Sequence, residues 1–162
     1  MGPVYRGKGL PIQQFEFRPK IDYRHWCGVG YVDAALNQDI ERLRERWQNV
    51  QASRARDAIY KYLRAVYEIV LCWKVEEQEI QRARRALKIN GLAPPEEPEP
   101  FAAVIAASVS PNKLDRRQLS KYSRALRYAA TCDCHPRKLK RFIKRRGGLN
   151  KCAAKFKRRL RQ

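Results

Sequence analysis

The longest regular pattern of hydrophobic and polar residues runs from Asp33 to Asn90, a stretch without glycine or proline. Its first part spaces large apolar residues three and four positions apart, as on one face of an α-helix. These residues are Leu36, Ile40, Leu43, Trp47 and Val50. Its second part repeats apolar residues every seven positions, as in a coiled-coil seam. These are Ile59, Val66, Trp73, Ile80 and Leu87. The pattern predicts helix throughout this stretch.

The two apolar stripes do not share a phase. Seven residues beyond Val50 is Asp57, whereas the second stripe begins at Ile59. The slip predicts a break near residues 51–54, with Ser53 as a candidate N-cap of the second helix. Two helices packed as a hairpin are therefore favoured over one continuous rod.

The ends of this region carry their own signals. Asp33 is the predicted N-cap of the first helix, and Gly91 is placed as the glycine that follows the second. Glu76 interrupts the seven-residue repeat as a polar fault. The prediction for residues 33–92 is a coiled-coil-like helical hairpin that serves as a scaffold and as a surface for self-association or a protein partner.

The flanking segments have a different composition. Residues 1–32 are rich in glycine, proline and aromatic residues and are predicted to form an extended arm. Within them IQQFEF (12–17) alternates apolar and polar residues, which suits one short strand. Residues 93–100, APPEEPEP, contain four prolines, which bar helix and favour an extended chain. This acidic segment is predicted to be a linker between two parts of the protein.

Short helices are predicted beyond the linker. FAAVIAASV (101–109) is interpreted as a buried helix opened by Pro100. Ser110 and Pro111 fit the N-cap and first position of a helix that ends near Thr131.

Two further helices complete the prediction. Pro136 begins the first of them, Gly147 and Gly148 end it, and a last helix follows with an apolar face. That face comprises Leu149, Cys152, Ala153, Phe156 and Leu160. The predicted fold is mostly α, with an extended arm, a long hairpin and, over residues 101–162, a compact basic bundle.

Positive charge is concentrated in this last part. The chain carries a net charge of +20, and residues 111–162 hold 19 of its 36 Lys and Arg residues but 2 of its 16 acidic residues. Most of these basic residues recur three and four positions apart, away from the apolar positions of their helices. They are Lys113, Arg116, Arg117, Lys121, Arg124, Arg127, Arg137, Lys140, Arg141, Lys144, Arg145, Lys151, Lys155, Arg158 and Arg159.

The charge pattern predicts a polyanionic partner. Residues 134–162 contain no acidic residue, and like charges one helical turn apart destabilise a helix unless a polyanion neutralises them. Because Lys and Arg dominate these faces, we expect nucleic acid bound mainly through its phosphates. Tyr128 lies off the predicted apolar stripe and is the candidate for stacking on a base. DNA or RNA, single or double strand, and sequence specificity all stay open.

A second hypothesis needs no nucleic acid. The basic face could dock on an acidic or nucleic-acid-binding protein, which would make the chain an adaptor or inhibitor with the helical hairpin as its other interface. A 1:1 protein complex that survives nuclease treatment would distinguish this from the first hypothesis.

The cysteines and histidines are candidates for a zinc site or for a catalytic Cys–His pair. Cys132, Cys134, His135 and Cys152 are soft or borderline ligands, but zinc sites in small modules usually space cysteines as C-x2-C or C-x4-C. The stretch is therefore interpreted as the corner between two helices. His25 and Cys27 lie close together without a third group to orient them. No phosphate-binding loop or zinc-protease motif is present, so we predict a protein that is not an enzyme and has no metal or cofactor.

The expected location is the cytoplasm. The first residues lack the apolar run of a signal peptide, and no apolar run is long enough to span a bilayer. The five cysteines show no secreted-type framework, which favours reduced thiols.

SRALRYAA (123–130) followed by FIKRRGGLNKCAAKF (142–156) resembles the C-terminal part of small uncharacterised proteins of bacterial plasmids and integrating elements. The resemblance covers under a third of the chain and implies a bacterial, mobile-element setting without an activity. In its basic, all-helical architecture the chain also resembles the small helical subunits of CRISPR effector complexes, which implies an accessory role in a nucleoprotein complex.

Overall fold

A computed structural model describes residues 29–109 and 114–161, with side chains from Asp33 onward. Every regular element within these residues is a helix, so the prediction of a mostly α protein is confirmed. The helices are α1 (Val29–Ala52), α2 (Ala58–Val75), α3 (Glu79–Ile89), α4 (Pro100–Ser108), α5 (Arg116–Thr131), a 3-10 turn (Pro136–Lys138), α6 (Leu139–Arg145) and α7 (Leu149–Leu160). The predicted strand 12–17 and the arm up to residue 28 lie outside the described residues.

The start of α1 differs from the prediction. The helix begins at Val29, so the last residues of the predicted arm are helical and Asp33 is not the N-cap. Asp33 lies inside the helix, where its carboxylate accepts a hydrogen bond of 2.7 Å from Arg85 of α3. A partner across the bundle thus takes the place of a capping interaction, and this pair holds the pKa of Asp33 below its usual value.

The predicted break between the first two helices is confirmed. α1 ends at Ala52 and α2 begins at Ala58. Ser53 is not the N-cap of α2: its hydroxyl accepts a 3.1 Å hydrogen bond from the Ala55 N–H within the connection, and Asp57 precedes α2. We call residues 53–57 the elbow.

A second break was not predicted. α2 ends at Val75, and Glu77 takes a left-handed conformation with φ of 56°. The Gln78 N–H then donates to the Trp73 carbonyl at 3.1 Å, a closing bond of the Schellman type. Glu76, the predicted polar fault, pairs with Arg82 of α3. The seven-residue repeat is therefore shared by two helices, and a continuous second helix is wrong.

The glycine predicted to end this region does so. Gly91 has φ of +74°, and the Leu92 N–H donates to the Leu87 carbonyl at 2.9 Å. Only a residue without a side chain adopts this conformation freely, so Gly91 stops α3 and releases the chain.

The core is built around α2, which is buried on nearly all sides between Tyr62 and Trp73. Tyr67 shows how its neighbours surround it. The Tyr67 ring stacks on Phe101 of α4 at 6.0 Å, and its hydroxyl donates a 2.7 Å hydrogen bond to the Cys134 carbonyl beyond α5. One side chain thus ties the central helix to both later parts of the chain.

The acidic, proline-rich segment joins two parts of the same core. Glu99 caps α4 by accepting hydrogen bonds from the Phe101 and Ala102 N–H groups, and Pro100 is the first helical residue as predicted. Phe101 packs in one hydrophobic cluster with Trp73 before the segment and Leu126 after it. The predicted hairpin and basic bundle are therefore in contact through a common interior.

The helices after α4 end close to the predicted positions, but the predicted start of α5 at Ser110 and Pro111 is wrong, because residues 114 and 115 are not helical and Asp115 is the N-cap. Ser110 and Pro111 lie outside the described residues. The described start of α5 is Arg116, with the Asp115 carboxylate accepting a 2.7 Å bond from the Gln118 N–H. Leu160 was placed on the buried face of α7, which is wrong, because it lies a turn beyond Phe156 and is 61% exposed.

Of the helices in the described ranges, none is both long and apolar enough to cross a bilayer.

Candidate nucleic-acid interface

The turn between α6 and α7 lets α7 pack along α5, and both of these helices are rich in basic residues. Gly147 and Gly148 both have φ of +100°, and the Gly148 N–H donates to the Ile143 carbonyl at 2.9 Å to end α6. The chain then reverses, and α7 packs along α5. Cys152 and Phe156 of α7 are buried in this contact region, so the basic residues of both helices are left at its edges.

An open groove of about 630 Å³ lies between these helices, and we call it the α5/α7 groove. Its basic lining residues are Arg116, Arg117, Lys121 and Arg124 of α5 and Lys157 of α7. Its other lining residues are Ser120, Asn150, Ala153 and Ala154. All of these are small or neutral, so none of the described lining residues opposes the positive charge. The groove therefore has basic residues at its rim without an acidic partner in the lining, and small residues at its floor that let a ligand approach closely.

The arginines of this rim are available for a partner. Arg116 and Arg117 are exposed and Arg124 is half-buried. Within the described residues none of the three forms an ion pair, whereas Lys121 lies over the Tyr122 ring at 5.4 Å. The helical rise of about 1.5 Å per residue spreads the row from Arg117 to Arg124 over about 10 Å.

The structure places most of the predicted basic residues on the surface. Those exposed are Arg116, Arg117, Arg137, Lys140, Arg141, Lys144, Arg145, Lys151, Arg158 and Arg159. Those half-buried are Lys121, Arg124, Arg127 and Lys155. Lys113 lies outside the described residues. Only a subset of these residues, on α5, lines the α5/α7 groove.

Some of the predicted cations hold the fold together. The Arg127 guanidinium lies 4.5 Å from the centre of the Phe156 ring and 3.8 Å from the Glu99 carboxylate. Arg159 donates a 3.1 Å hydrogen bond to the Thr131 hydroxyl. These arginines fasten α5 to α7 and to the start of α4, so their charge is partly used inside the protein.

The prediction for Tyr128 as an open stacking surface is wrong. Tyr128 is 3% exposed and packs against Phe142 with ring centres 5.7 Å apart. Arg146 and Arg159 lie over its ring at 5.9 Å and 5.0 Å. α6 and α7 cover the face of α5 that carries Tyr128, so a base has no access to this ring.

The lysines of α6 meet an acid from the first half of the chain. Lys140 and Lys144 each place their ammonium group 2.9 Å from the Asp57 carboxylate of the elbow. These two hydrogen-bonded partners hold the pKa of Asp57 below its usual value. One carboxylate thus anchors α6 to the elbow while leaving an excess of positive charge there.

The stretch TCDCHP is a corner, as predicted. Asp133 takes the left-handed conformation with φ of 53°, and the Cys134 N–H donates to the Ala129 carbonyl at 3.0 Å to end α5. His135 then caps the 3-10 turn by accepting a 3.2 Å hydrogen bond from the Arg137 N–H through Nδ1, and Pro136 opens it. The segment thereby sets the direction between α5 and α6.

Two of the three thiols near this corner are buried, and the third, Cys132, is half-buried. Cys134 and Cys152 are buried, and burial raises the pKa of Cys134 to about 12. Among residues 33–109 and 114–161, no three or more His, Cys, Asp or Glu side chains form a group suited to a metal ion. His25 and Cys27 lie outside the described residues.

Sequence reasoning missed part of the α5/α7 groove. The predicted basic face of α7 does not include Lys157, which is not three or four positions from Lys151, Lys155 or Arg159. Asn150 and Ser120 carry no charge, so charge spacing cannot indicate them. A stripe on α7 could have indicated the groove. It comprises Asn150, Ala153, Ala154 and Lys157, which follow one another at helical spacing and are small at the centre.

Comparisons of the chain with protein-family models, with curated proteins and with solved structures give no match.

Proposed function

We propose that this protein binds nucleic acid through the phosphate backbone, with the α5/α7 groove as the principal contact surface. The observation that carries the proposal is the lining of this groove: basic residues from two helices, small residues between them, and no acid. A duplex carries one phosphate per about 3.4 Å of each strand, so every cation of the row on α5 would find a phosphate within reach.

The energetics of the basic helices support the same proposal. Arg117, which is exposed, and Arg124, which is half-buried, have no acidic partner within the described residues, and neighbouring cations repel one another. A phosphate backbone would turn this repulsion into attraction and would release its counterions. Lys and Arg dominate the lining, and these side chains suit phosphates, so we propose that phosphate contacts supply most of the affinity.

The proposed role is binding without catalysis, in the cytoplasm, as an accessory part of a nucleoprotein complex. The groove supplies charge and small polar groups, and its described lining contains no Cys or His. The helices of the first half would support the basic helices through the shared core and could meet a protein partner on their outer faces.

A salt titration of the full chain tests the proposal. Affinity for a mixed-sequence duplex should fall by about 10³ to 10⁵ between about 50 and 200 mM salt if six to ten phosphates are contacted. The double variant R117Q/R124Q should lower the slope of log affinity against log salt by about two, because each lost phosphate contact removes about 0.9.

A matched control removes the same charge elsewhere. Arg84 and Lys88 lie on α3 and line no groove described here, so R84Q/K88Q should leave the salt slope almost unchanged. A flat salt response of the natural protein, or equal losses in both double variants, would refute the α5/α7 groove as the contact surface.

A further inference from the structure

A second basic groove lies where the elbow meets the start of α6, and we call it the elbow groove. Its volume is about 510 Å³. It brings together residues that are far apart in sequence: Arg46 and Val50 of α1, the elbow itself, Tyr60 and Lys61 of α2, and Arg137 and Lys140 beyond the corner. None of its lining residues belongs to the α5/α7 groove.

The charge of the elbow groove is strongly positive. Its basic lining residues are Arg46, Lys61, Arg64, Arg137 and Lys140, and its single acidic lining residue is Asp57. That carboxylate is already shared by Lys140 and Lys144 at 2.9 Å each. Arg46 and Lys61 are exposed and form no ion pair within the described residues. Both come from the part of the chain that has little net charge in the sequence, so folding creates this cationic site.

The elbow groove also has an aromatic lining residue, which the α5/α7 groove lacks among its described lining residues. Tyr60 lines the groove and is only half-buried. Val50, Ala58 and Pro136 also line it. The Lys144 ammonium lies over the Tyr60 ring, 5.8 Å from its centre. Cationic groups around an accessible aromatic ring are the combination with which proteins hold a single strand: the cations follow the phosphates and the ring stacks on a base.

We infer that the elbow groove binds a single-stranded stretch of nucleic acid, with Tyr60 stacking on an unpaired base and Arg46 and Lys61 contacting the flanking phosphates. The inference rests on the proposed function and assigns a strand type to this second groove. A paired base has both faces covered by its neighbours in the duplex, so only an unpaired base can lie on Tyr60. The α5/α7 groove has no aromatic lining residue and accepts a backbone of either kind.

The test compares three oligonucleotides of about 12 nucleotides, a length within the site size of single-strand-binding domains. The first is a single strand with bases, the second is a single strand of abasic sites with the same phosphates, and the third is a duplex. Each is fluorescently labelled and its affinity for the full chain is measured by anisotropy. The abasic strand keeps the charge and removes the stacking.

Tyr60→Leu should weaken binding of the base-containing strand by about 5- to 150-fold, the range that loss of one base–aromatic stack produces. Binding of the abasic strand and of the duplex should change less than about twofold. Tyr60→Phe keeps the ring and should retain the affinity. Equal losses on all three oligonucleotides, or no loss on the base-containing strand, would overturn the inference.

The charged residues provide a variant that does not touch the core. R46Q/K61Q removes two exposed cations and should weaken both single strands more than R84Q/K88Q, which removes two cations outside both grooves. The same loss for both double variants would overturn the role of Arg46 and Lys61.

The outcomes separate this inference from the proposed function. If the natural protein binds all three oligonucleotides and R117Q/R124Q weakens them, while Tyr60→Leu and R46Q/K61Q change nothing, the proposed function stands and the inference fails. If an acidic peptide binds with the same sensitivity to Arg46 and Lys61 as the base-containing strand, the groove recognises charge alone and the inference is wrong. If no oligonucleotide binds with a steep salt dependence, both fail.

Discussion

The helices α1–α3 and the helices α5–α7 treat their arginines in opposite ways. In α1–α3 an acid lies beside most of the arginines that are not fully exposed. The pairs are Arg42–Asp39, Arg44–Glu41, Arg64–Glu68, Arg82–Glu76 and Arg85–Asp33. In α5–α7 the described ion pairs draw on acids from outside that region: Glu99 for Arg127, and Asp57 for Lys140 and Lys144. The first region pairs most of its less exposed arginines with its own acids, and the second does not.

This difference indicates where charge serves structure and where it is left over. Aromatic rings take the place of acids for several cations of the second region, as Phe156 does for Arg127. Other cations, such as Arg117 and Arg141, are exposed and form no ion pair within the described residues. Like charges one turn apart destabilise a helix, and a polyanionic partner of the kind proposed above would remove that cost.

The largest expected effect tests the neutralised region. Glu76→Gln removes an acidic partner of Arg82, whose side chain is 5% exposed, and so weakens the charge compensation of a buried guanidinium. The free energy of unfolding should fall by about 3 kcal/mol, as when one partner of a buried pair is removed. Urea denaturation measures it. Glu77→Gln next door, at an exposed position, should change it by less than about 0.5 kcal/mol; similar values for both variants would contradict the pairing.

An intermediate effect tests Glu99, which lies outside α5–α7 and forms an ion pair with Arg127 of α5. Burial raises the pKa of Glu99 above its ordinary value of 4.5. The folded chain then holds this proton more tightly than the unfolded chain, so the contribution of Glu99 to stability is largest below pH 4.5 and falls as the pH rises through the raised pKa. The unfolding free energy of the natural protein minus that of Glu99→Gln should therefore decrease from acidic to neutral pH.

The pH series needs a control because Asp33 and Asp57 titrate as well. Their pKa values are lowered, which gives stability that is lost as the pH falls. Both residues are unchanged in Glu99→Gln, so they cancel in the difference. A difference that grows towards neutral pH in Glu99→Gln would refute the assignment.

The smallest expected effect lies in the uncompensated region. Arg141 and Arg145 are exposed and one helical turn apart. Arg141→Gln should raise stability by a few tenths of a kcal/mol at low salt, because it removes like-charge repulsion, and the gain should vanish at high salt. Arg44→Gln should do the reverse, since Arg44 pairs with Glu41 and donates a 3.1 Å bond to the Ala107 carbonyl. Thermal melting at two salt concentrations measures both; a loss of stability in Arg141→Gln would break the comparison.

Helix content, the first break and the stopping points were predictable from the sequence because they depend on local signals. Gly91 and Gly147 mark helix ends through their conformational freedom, and Pro100 and Pro136 mark beginnings. The second break at Glu76 was not predictable from periodicity. The apolar repeat continues across it, and the partner that fixes it, Arg82, belongs to the following helix.

The candidate site was predictable only on the helices of the second half. Spacing places Arg117 and Arg124 on one face, but it cannot tell that α6 and α7 cover Tyr128. The elbow groove was beyond reach because Arg46 and Lys140 are distant in sequence and meet only through the fold. Sequence spacing therefore predicts for the nearly neutral first half only a scaffold and a surface for self-association or a protein partner.

The acidic segment before Glu99 has a consequence for how the protein could be divided. Its residues Glu96 and Glu97 are exposed, whereas Phe101 on one side and Trp73 on the other are buried in the same cluster. The parts before and after the segment therefore bury apolar surface against each other, as two subunits do in a heterodimer. Two polypeptides separated at Glu96 would retain complementary surfaces, and the bundle could be assembled from two genes as well as from one.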